Sequence, residues 1–218
     1  MPKYILIDLH LHSNDSTRTG SKVSGETDLE KLRILNNNNV KVACFSDHDH
    51  FYRRSYLNRL KIIKEYGFDL LLLPGLEIDL QRTDYKTGQV VIVFNPASNL
   101  EAIEEIFIGR KVRYTYAEII EVLSGYDFMI FPHTGKAKDN MLVDDLANFQ
   151  VDALDVTRDN HANVNKILSI RQIPVVSFSD THTWKKYPQW SKKQTYVEAE
   201  RNFLDIKKAI RENKIIIE

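Results

Sequence analysis

Residues Tyr4–Ser13, YILIDLHLHS, decide how the chain is interpreted, because an apolar run of the strand type ends there on alternating polar residues. The first half is aliphatic, as in a buried strand. His10 and His12 follow at positions i and i+2, so in an extended segment both imidazoles point to the same side. Two imidazoles on one side can reach one metal ion. The stretch therefore predicts a strand over about Tyr4–Leu9 that delivers ligands at its carboxyl end.

The same arrangement recurs along the chain. His48 follows VACFSD, His133 follows FMIFP and Glu77 ends the run LLLLPGLE. Asp180 and His182 repeat the i, i+2 spacing after VVSFS. In α/β folds, ligands collect on the loops at the carboxyl ends of parallel strands. We therefore expect clusters that are distant in sequence to share one mouth of the fold.

Strand-like runs alternate with amphipathic segments, which predicts an α/β architecture of parallel strands with helical crossovers. Without a repeat or linker to divide it, residues 1–218 are expected to form a single domain. Strands are predicted over Tyr4–Leu9, Val40–Ser46, Leu70–Pro74, Val90–Phe94, Phe128–Pro132, Ala153–Val156 and Pro174–Ser179. Helices are predicted over Asp28–Asn36, Phe51–Tyr66, Leu100–Ile108, Tyr116–Ser124, Ala162–Arg171 and Phe203–Glu212.

Composition narrows the class of protein. The 30 basic and 30 acidic residues balance, so no global field recruits nucleic acid or an anionic membrane. A single cysteine, Cys44, cannot form an internal disulfide, which fits a reducing compartment. The chain shows neither a signal sequence nor an apolar stretch near the roughly 20 residues that a membrane span needs. The expectation is a cytoplasmic protein without a membrane partner.

Each candidate ligand has a structural explanation when it is taken alone. A lone histidine at a strand end is more often a hydrogen-bonded structural residue, and Glu77 alone could form a surface salt bridge. The recurrence after so many strand-like runs instead favours a multinuclear divalent-metal site. His50 and His161 are left outside it, because neither has an apolar strand directly before it. A purely structural zinc site is disfavoured, since such sites are closed and usually rich in cysteine.

In this order, DLHLHS, FSDHDH, GLEID, FPHTG and FSDTH, the motifs resemble the polymerase and histidinol phosphatase (PHP) domain family. The match runs from Asp8 to His182, and the segment YVEAERNFLDIKKAIRENK resembles the closing strand and helix of that family. The resemblance implies a distorted (β/α)7 barrel. It also implies hydrolysis of phosphoesters with two or three divalent ions, usually manganese, zinc or iron.

The resemblance also implies a distribution of ligands. His10, His12, Glu77 and Asp180 would hold one ion, His48 and His182 a second, and Glu77 and His133 a third. Two departures weaken this pattern. Thr17 stands where the family usually has an acid or histidine, with Asp15 two residues early, and QVVIVFN lacks the histidine that commonly serves the third ion. A two-ion site is the safer expectation.

The mechanism expected is attack on phosphorus by a metal-activated hydroxide, in line with the leaving oxygen. Cationic side chains should stabilise the charge that builds on the non-bridging oxygens. Lys136, three residues after His133, and Arg158, just beyond the strand DALDV, are the candidates. The alternative for each is a solvated surface charge.

The substrate is less defined by the sequence. The basic, aromatic segment Trp184–Lys193 suits a nucleotide base and its phosphates, although its aromatic residues could equally pack on a neighbouring helix. The expected substrate is a phosphodiester or phosphomonoester of a nucleotide or of a nucleic-acid end. A small-molecule monophosphatase of the histidinol-phosphate type, or a catalytically weakened regulatory module, is the alternative. Oligomeric state is not determined by the sequence.

Overall fold

The computed structural model of the protein describes residues 4–108, 113–146, 148–158 and 160–218. Within them the strands form two five-stranded sheets flanked by helices, a mixed α/β fold. The strands are β1 (Tyr4–Leu11), β2 (Val42–Phe45), β3 (Leu71–Leu73), β4 (Gly75–Gln81), β5 (Thr87–Phe94), β6 (Phe128–Gly135), β7 (Leu154–Val156), β8 (Val175–Val176), β9 (Thr195–Glu198) and β10 (Ile215–Ile217). The helices are α1 (Asp28–Asn37), α2 (Arg53–Tyr66), α3 (Leu100–Phe107), α4 (Tyr116–Val122), α5 (Val143–Leu146), α6 (Ala162–Leu168) and α7 (Phe203–Arg211).

Parallel pairing holds where it was predicted on both sides of the fold. In the first sheet, of order β10-β9-β1-β2-β3, strands β1, β2 and β3 are parallel. In the second, of order β4-β5-β6-β7-β8, strands β6, β7 and β8 are parallel. Strand β5 instead runs antiparallel to both of its neighbours, and β9 runs antiparallel to both β1 and β10. The expectation of uniformly parallel strands is therefore wrong at these positions.

The predicted (β/α)7 barrel is not formed as a closed ladder in the described residues. Between the two sheets, the backbone bridges are isolated ones, such as His48 with Glu77 and Leu11 with Thr181. One reason lies in the run LLLLPGLE, which divides into β3 and β4 at Pro74 and Gly75. Proline cannot donate to a ladder. A Cβ on Gly75 would lie 2.5 Å from the carbonyl oxygen of Ile92, so only glycine permits this close approach.

Glu77 consequently lies inside β4 rather than at the carboxyl end of the predicted strand over Leu70–Pro74. It pairs with Val91 of β5, and Met129 and Phe131 lie four and two residues before His133 on β6. Because side chains alternate across a strand, His133 faces the same side as those two core residues. A buried apolar layer that includes Val91, Met129 and Phe131 therefore underlies the polar mouth.

Helix ends follow the local sequence. Thr27 accepts a hydrogen bond from the backbone N–H of Glu30, whose side chain accepts from the N–H of Thr27, and this capping box begins α1 as predicted. Gly67, in the left-handed conformation at φ 64°, ends α2. These two helices position the loops that follow β1 and β2. No helix among the described residues combines the length and apolar character that crossing a membrane requires.

Candidate metal centre

The seven residues predicted as ligands converge on one site, although they belong to five different segments. At its centre, the Nε2 atoms of His10 and His12 lie 3.1 Å apart. Asp180 Oδ1 is 3.5 Å from the first of these atoms and 3.3 Å from the second. Two ligands of one tetrahedral ion lie about 3.3 Å apart when each is about 2.0–2.1 Å from the metal. These atoms are therefore close enough for one ion to be shared among them.

Hydrogen bonds fix which imidazole nitrogen faces the centre. His10 Nδ1–H donates to Asp155 Oδ2 at 2.9 Å, because a carboxylate can only accept. His12 Nδ1–H donates to Ser16 Oγ at 3.2 Å, since that hydroxyl gives its own proton to Asp47 at 2.7 Å. Both imidazoles thus present an Nε2 lone pair to the other. Two facing lone pairs repel unless a proton or a metal cation lies between them.

Glu77 lies between the histidines with one oxygen on each side. Its Oε1 is 3.5 Å from His10 Nε2 and 3.2 Å from His133 Nε2. Its Oε2 is 3.5 Å from His12 Nε2 and 3.0 Å from His48 Nδ1. Oε2 and the His133 Nε2 atom are buried and lack a hydrogen bond within the described residues. Buried polar atoms are normally satisfied, and a cation bound between these two atoms would satisfy both.

His48 and His182 form the side of the centre that faces solvent. Their Nε2 atoms lie 3.5 Å apart. His182 Nδ1–H donates to the carbonyl oxygen of Asp180 at 3.2 Å, which leaves its Nε2 lone pair directed at His48. Together with His12 they bring three ligand atoms close enough to hold one ion. Three imidazoles with an open fourth position are a known arrangement for catalytic zinc.

Asp155 is a site residue that the sequence analysis missed. It is fully buried at the middle of β7, where it accepts from His10, and Lys136 Nζ lies 3.1 Å from its Oδ2. Lys136 Nζ is also 3.7 Å from Asp180 Oδ2, so the predicted cation does lie inside the centre. The signal that the sequence offered for Asp155 is an acid placed between apolar residues in the strand-like run DALDV. It was overlooked because no histidine accompanies it.

Burial keeps several imidazoles neutral. It lowers the pKa of His12 well below its usual value and the pKa of His133 to about 4. It also lowers the pKa of His182. A neutral imidazole keeps the lone pair with which it binds a metal, so these three side chains are ready as ligands at neutral pH.

The acidic groups remain ionised despite their burial. Burial opposes the charge of Glu77, but His48 and His10 hold its pKa well below the usual range. His10 and Lys136 do the same for Asp180. For His10 burial is again opposed, because Asp180 and Glu77 raise its pKa to about 10. In the absence of metal, a proton on His10 therefore supplies the cation that the facing lone pairs require.

The loop after the first motif is locked by a buried arginine. Arg59, on α2, donates to Ser13 Oγ at 2.6 Å and to Asp15 Oδ2 at 2.8 Å. Asp15 also pairs with Arg18 at 3.3 Å, so this carboxylate serves the loop and does not reach the centre. Thr17 donates to the carbonyl oxygen of Asn14 at 2.6 Å. Neither residue takes the place of the missing acid.

The aromatic segment after His182 divides into structural and exposed residues. Trp184 is buried and its Nε1–H donates to the carbonyl oxygen of His12 at 2.9 Å. Tyr187 stacks on it with ring centroids 5.8 Å apart, and its hydroxyl donates to Asp8 at 3.0 Å. Trp190, in contrast, is 62 % exposed. Packing therefore accounts for two of the three aromatic side chains.

A cleft of about 810 Å³ opens over the centre, which is within the usual range for a small-molecule site. His48, Glu77 and His182 lie at its base. Arg158 is exposed at its edge. A Cβ on Gly135 would lie 2.6 Å from the carbonyl oxygen of Arg158, so a glycine is required where the end of β6 meets this segment.

His50 and His161, which the sequence analysis left out, lie elsewhere. His50 stacks on Tyr52 with ring centroids 5.6 Å apart. His161 caps α6, where its ring accepts from the backbone N–H of Asn163. Both have a local structural role.

No protein-family model and no curated protein matches the chain. Solved structures do match it. One is a protein from Bifidobacterium adolescentis that is proposed to be a metal-dependent phosphoesterase. Its sequence is 13 % identical and its TM-score is 0.57, and the alignment covers 84 % of this chain and 89 % of the other chain. Another is an amidohydrolase from Chromobacterium violaceum with bound sulfate and no metal, at 15 % identity, a TM-score of 0.54, and coverage of 81 % and 87 %. At such low identities, these likenesses show a shared fold.

Proposed function

We propose that the protein is a metal-dependent phosphoesterase of the PHP type, and that its two sheets correspond to the distorted barrel of that family. The observation that supports this most strongly is the pair of facing Nε2 atoms of His10 and His12, 3.1 Å apart, with Glu77 and Asp180 around them. A divalent cation would satisfy these lone pairs and the two carboxylates together. The fold shared with metal-dependent hydrolases is consistent with this function.

The donor set fits two divalent ions. His10, His12, Asp180 and Glu77 would hold one of them. His48 and His182 would hold the second, with Glu77 bridging, because its oxygens face opposite sides. A third ion would have His133 and Glu77 as ligands. Imidazole and carboxylate suit manganese, zinc and iron alike.

Bound ions would supply an activated water and a Lewis acid for the phosphoryl oxygens. The chain's own residues hold the geometry. Asp155 and Ser16 fix the tautomers of His10 and His12, and Glu77 places one oxygen beside His10 and the other beside His48. Lys136 would neutralise charge that develops on the phosphoryl group, since its Nζ is buried beside Asp155 and Asp180.

Arg158 is the second proposed catalytic cation. It lies at the edge of the cleft, where it would bind a non-bridging oxygen of the substrate. Replacement by alanine should lower kcat/KM for the best phosphorylated substrate by about 10-fold or more, as for loss of an oriented cation. An unchanged rate would remove Arg158 from the mechanism and leave it as a solvated surface charge.

The substrate we propose is a phosphorylated small molecule or a nucleotide, including the end of an oligonucleotide. The open cleft above the centre supports it, because the phosphoester of a chain end could enter there. Hydrolysis of para-nitrophenyl phosphate compared with its bis ester separates monoesterase from diesterase activity.

The decisive experiment is the metal content of the protein purified without chelators, measured by plasma mass spectrometry. We expect about two equivalents per chain, lost in the variant His10→Ala/His12→Ala, together with hydrolysis of one of the two esters. A single equivalent would mean that the departures at Thr17 and on β5 have removed part of the multinuclear site. No metal, even after reconstitution with manganese or zinc, would reject an enzymatic function and favour a regulatory module.

A further inference from the structure

Trp190 is a large apolar side chain that remains exposed beside the candidate centre. The residue is 62 % exposed, and its indole forms no hydrogen bond or ring contact with any described residue. It lines the same cleft as Asp180 and His182. Single exposed apolar residues are common on protein surfaces, so exposure alone decides nothing. Trp190 differs from an ordinary exposed residue because hydrogen bonds hold the backbone on both sides of it.

The backbone on both sides of Trp190 is held by hydrogen bonds. Its own N–H donates to the carbonyl oxygen of Ser179 at 3.1 Å. On one side, Gln189 Oε1 accepts from the backbone N–H groups of His182 and Thr183, both at 2.7 Å. On the other, the hydroxyls of Ser191 and Ser177 lie 2.7 Å apart and are buried. The indole is therefore attached to a rigid segment, and the same hydrogen bonds locate His182.

The other aromatic residues of this segment show that exposure is not its general property. Trp184 is 1 % exposed, and Tyr187 stacks on it. The fold thus buries the aromatic side chains for which it has a packing site and leaves Trp190 at the cleft. A rigid aromatic side chain binds a flat ring at low entropic cost, because few torsions must be frozen.

The charged side chains around the cleft indicate which group the ligand carries beside its flat ring. Lys22, Lys138 and Arg158 line the cleft with Trp190. Three carboxylates outside the metal centre also line it and compensate part of that charge: Asp49, Asp79 and Asp139, the last 3.6 Å from Lys138. Aromatic faces combined with cations are the usual means of binding a base and its phosphates. A volume of about 810 Å³ accommodates a ligand of nucleotide size.

We propose that Trp190 is the stacking surface for the base of a nucleotide whose phosphoester lies on the metal centre. This inference rests on the proposed phosphoesterase function and assigns its substrate class. Because every base has a flat face, Trp190 would favour nucleotides over sugar phosphates without selecting strongly among the bases.

The test compares AMP with ribose 5-phosphate, which share a phosphate and a ribose and differ in the base. Each is used as an inhibitor of the zinc-loaded protein. The reporter substrate is para-nitrophenyl phosphate or its bis ester, whichever is hydrolysed faster, and Ki is calculated from the observed inhibition with the KM of that ester. We expect the Ki of AMP to be lower by about 10-fold or more, as for one stacked base. Trp190→Ala should abolish this difference by raising the Ki of AMP alone, and Trp190→Phe should retain most of it.

Tyr85→Ala is the matched control, because Tyr85 is an aromatic residue that is 87 % exposed and lies outside the cleft. It should change neither Ki. Equal Ki values for AMP and ribose 5-phosphate in the unaltered protein would overturn the proposal. So would a Trp190→Ala variant that weakens both inhibitors equally or neither.

A second readout does not depend on catalysis. Trp184 is buried and Trp190 is exposed, so acrylamide should quench mainly the fluorescence that Trp190→Phe removes. Adenosine should protect this fluorescence from acrylamide and ribose should not. If neither ester is hydrolysed after metal loading, the proposed function fails, and protection by adenosine still decides whether Trp190 binds a base. Hydrolysis without protection, and without a Ki difference, overturns only the inference about Trp190.

Discussion

The two halves of the candidate centre differ in their access to water. The inner half consists of His10, Glu77, His133 and Asp155, and the side chains of His10 and Asp155 are 0 % exposed. The outer half consists of His48, Asp180 and His182. There the exposed fractions are 16 % for His48 and 23 % for His182.

This difference in exposure indicates that the two halves have different roles in metal binding and turnover. Inner ligands are enclosed and held by partners that are themselves buried, so they should hold an ion before any substrate arrives. Outer ligands keep one face open to the cleft, as a site that exchanges water and substrate must. Perturbing the inner half should therefore affect metal binding first, whereas perturbing the outer half should affect turnover while some metal remains.

The largest effect is expected for Glu77→Gln, because Glu77 places one oxygen beside His10 of the inner half and the other beside His48 of the outer half. The amide keeps the shape but removes the charge that compensates two cations. We expect loss of more than one metal equivalent and a fall in kcat/KM of at least about 10³-fold, since metal ions supply several kcal/mol of transition-state stabilisation. Glu121→Gln, at an exposed position on α4, is the control. Full metal content in Glu77→Gln would contradict a bridging role.

His182→Ala should separate the halves. The inner ligands remain intact in this variant, so we expect about one ion per chain to be retained and activity to fall by about 10²–10³-fold. His10→Ala should instead lose both ions, because it removes a ligand from the enclosed half. Plasma mass spectrometry of the two purified variants measures the contrast. Equal metal loss in both would show that the halves do not act separately.

Much of this centre could be predicted from the sequence. His10, His12, His133 and His182 follow apolar runs, and a strand places such residues at its end by local chemistry alone. Arg59 could not be predicted, because its partners Asp15 and Ser13 are distant in sequence and nothing local distinguishes it from a surface arginine. For the same reason, the sequence could not show that Asp15 binds Arg59 and not the metal centre.

The fold shows the same limit. The apolar run of β5 predicts a strand whichever way it is oriented, so its antiparallel pairing with β4 and β6 could not be seen. Aromatic residues were equally ambiguous. Trp184 and Trp190 occur in one short segment, and only tertiary packing decides that the first is core and the second is exposed.

Asp8 tests the charge balance beneath the centre. It is 3 % exposed, and burial raises its pKa to about 6 although Ser179 and Tyr187 donate to it. A carboxyl whose folded pKa exceeds its unfolded value of 3.8 binds more protons in the folded state, so its stabilising contribution is complete below about pH 4 and is lost as the pH rises through about 6. Asp8→Asn removes this pH-dependent loss of stability. Relative to the unaltered protein, the unfolding free energy of the variant should therefore increase between about pH 4 and pH 6, by at most about 3 kcal/mol.

The comparison for Asp8→Asn is Asp69→Asn. Asp69 is exposed, and hydrogen bonds from Lys41 and Arg201 lower its pKa to about 2. Its contribution therefore has the opposite sign, since it is present above the unfolded pKa and lost as the pH falls. Urea unfolding from pH 3.5 to 7.5 should show the two substitutions diverging. A parallel pH dependence would mean that Asp8 is not held in an unfavourable charged state.

Asp155→Asn is expected to have the smallest effect, and it examines how the inner half is supported. The amide can still accept from His10 Nδ1–H, but it no longer compensates the charge of Lys136. Loss of such a supporting carboxylate typically weakens metal affinity by about 10–100-fold. Asp152→Asn is the matched control, because Asp152 is equally buried three residues earlier but bonds to Arg211 and the N–H of Ile130. Competition with a chelating dye gives the affinities. Equal weakening in both variants would assign Asp155 a role in folding only, whereas weakening confined to Asp155→Asn would show that the enclosed half depends on a carboxylate that need not touch the metal.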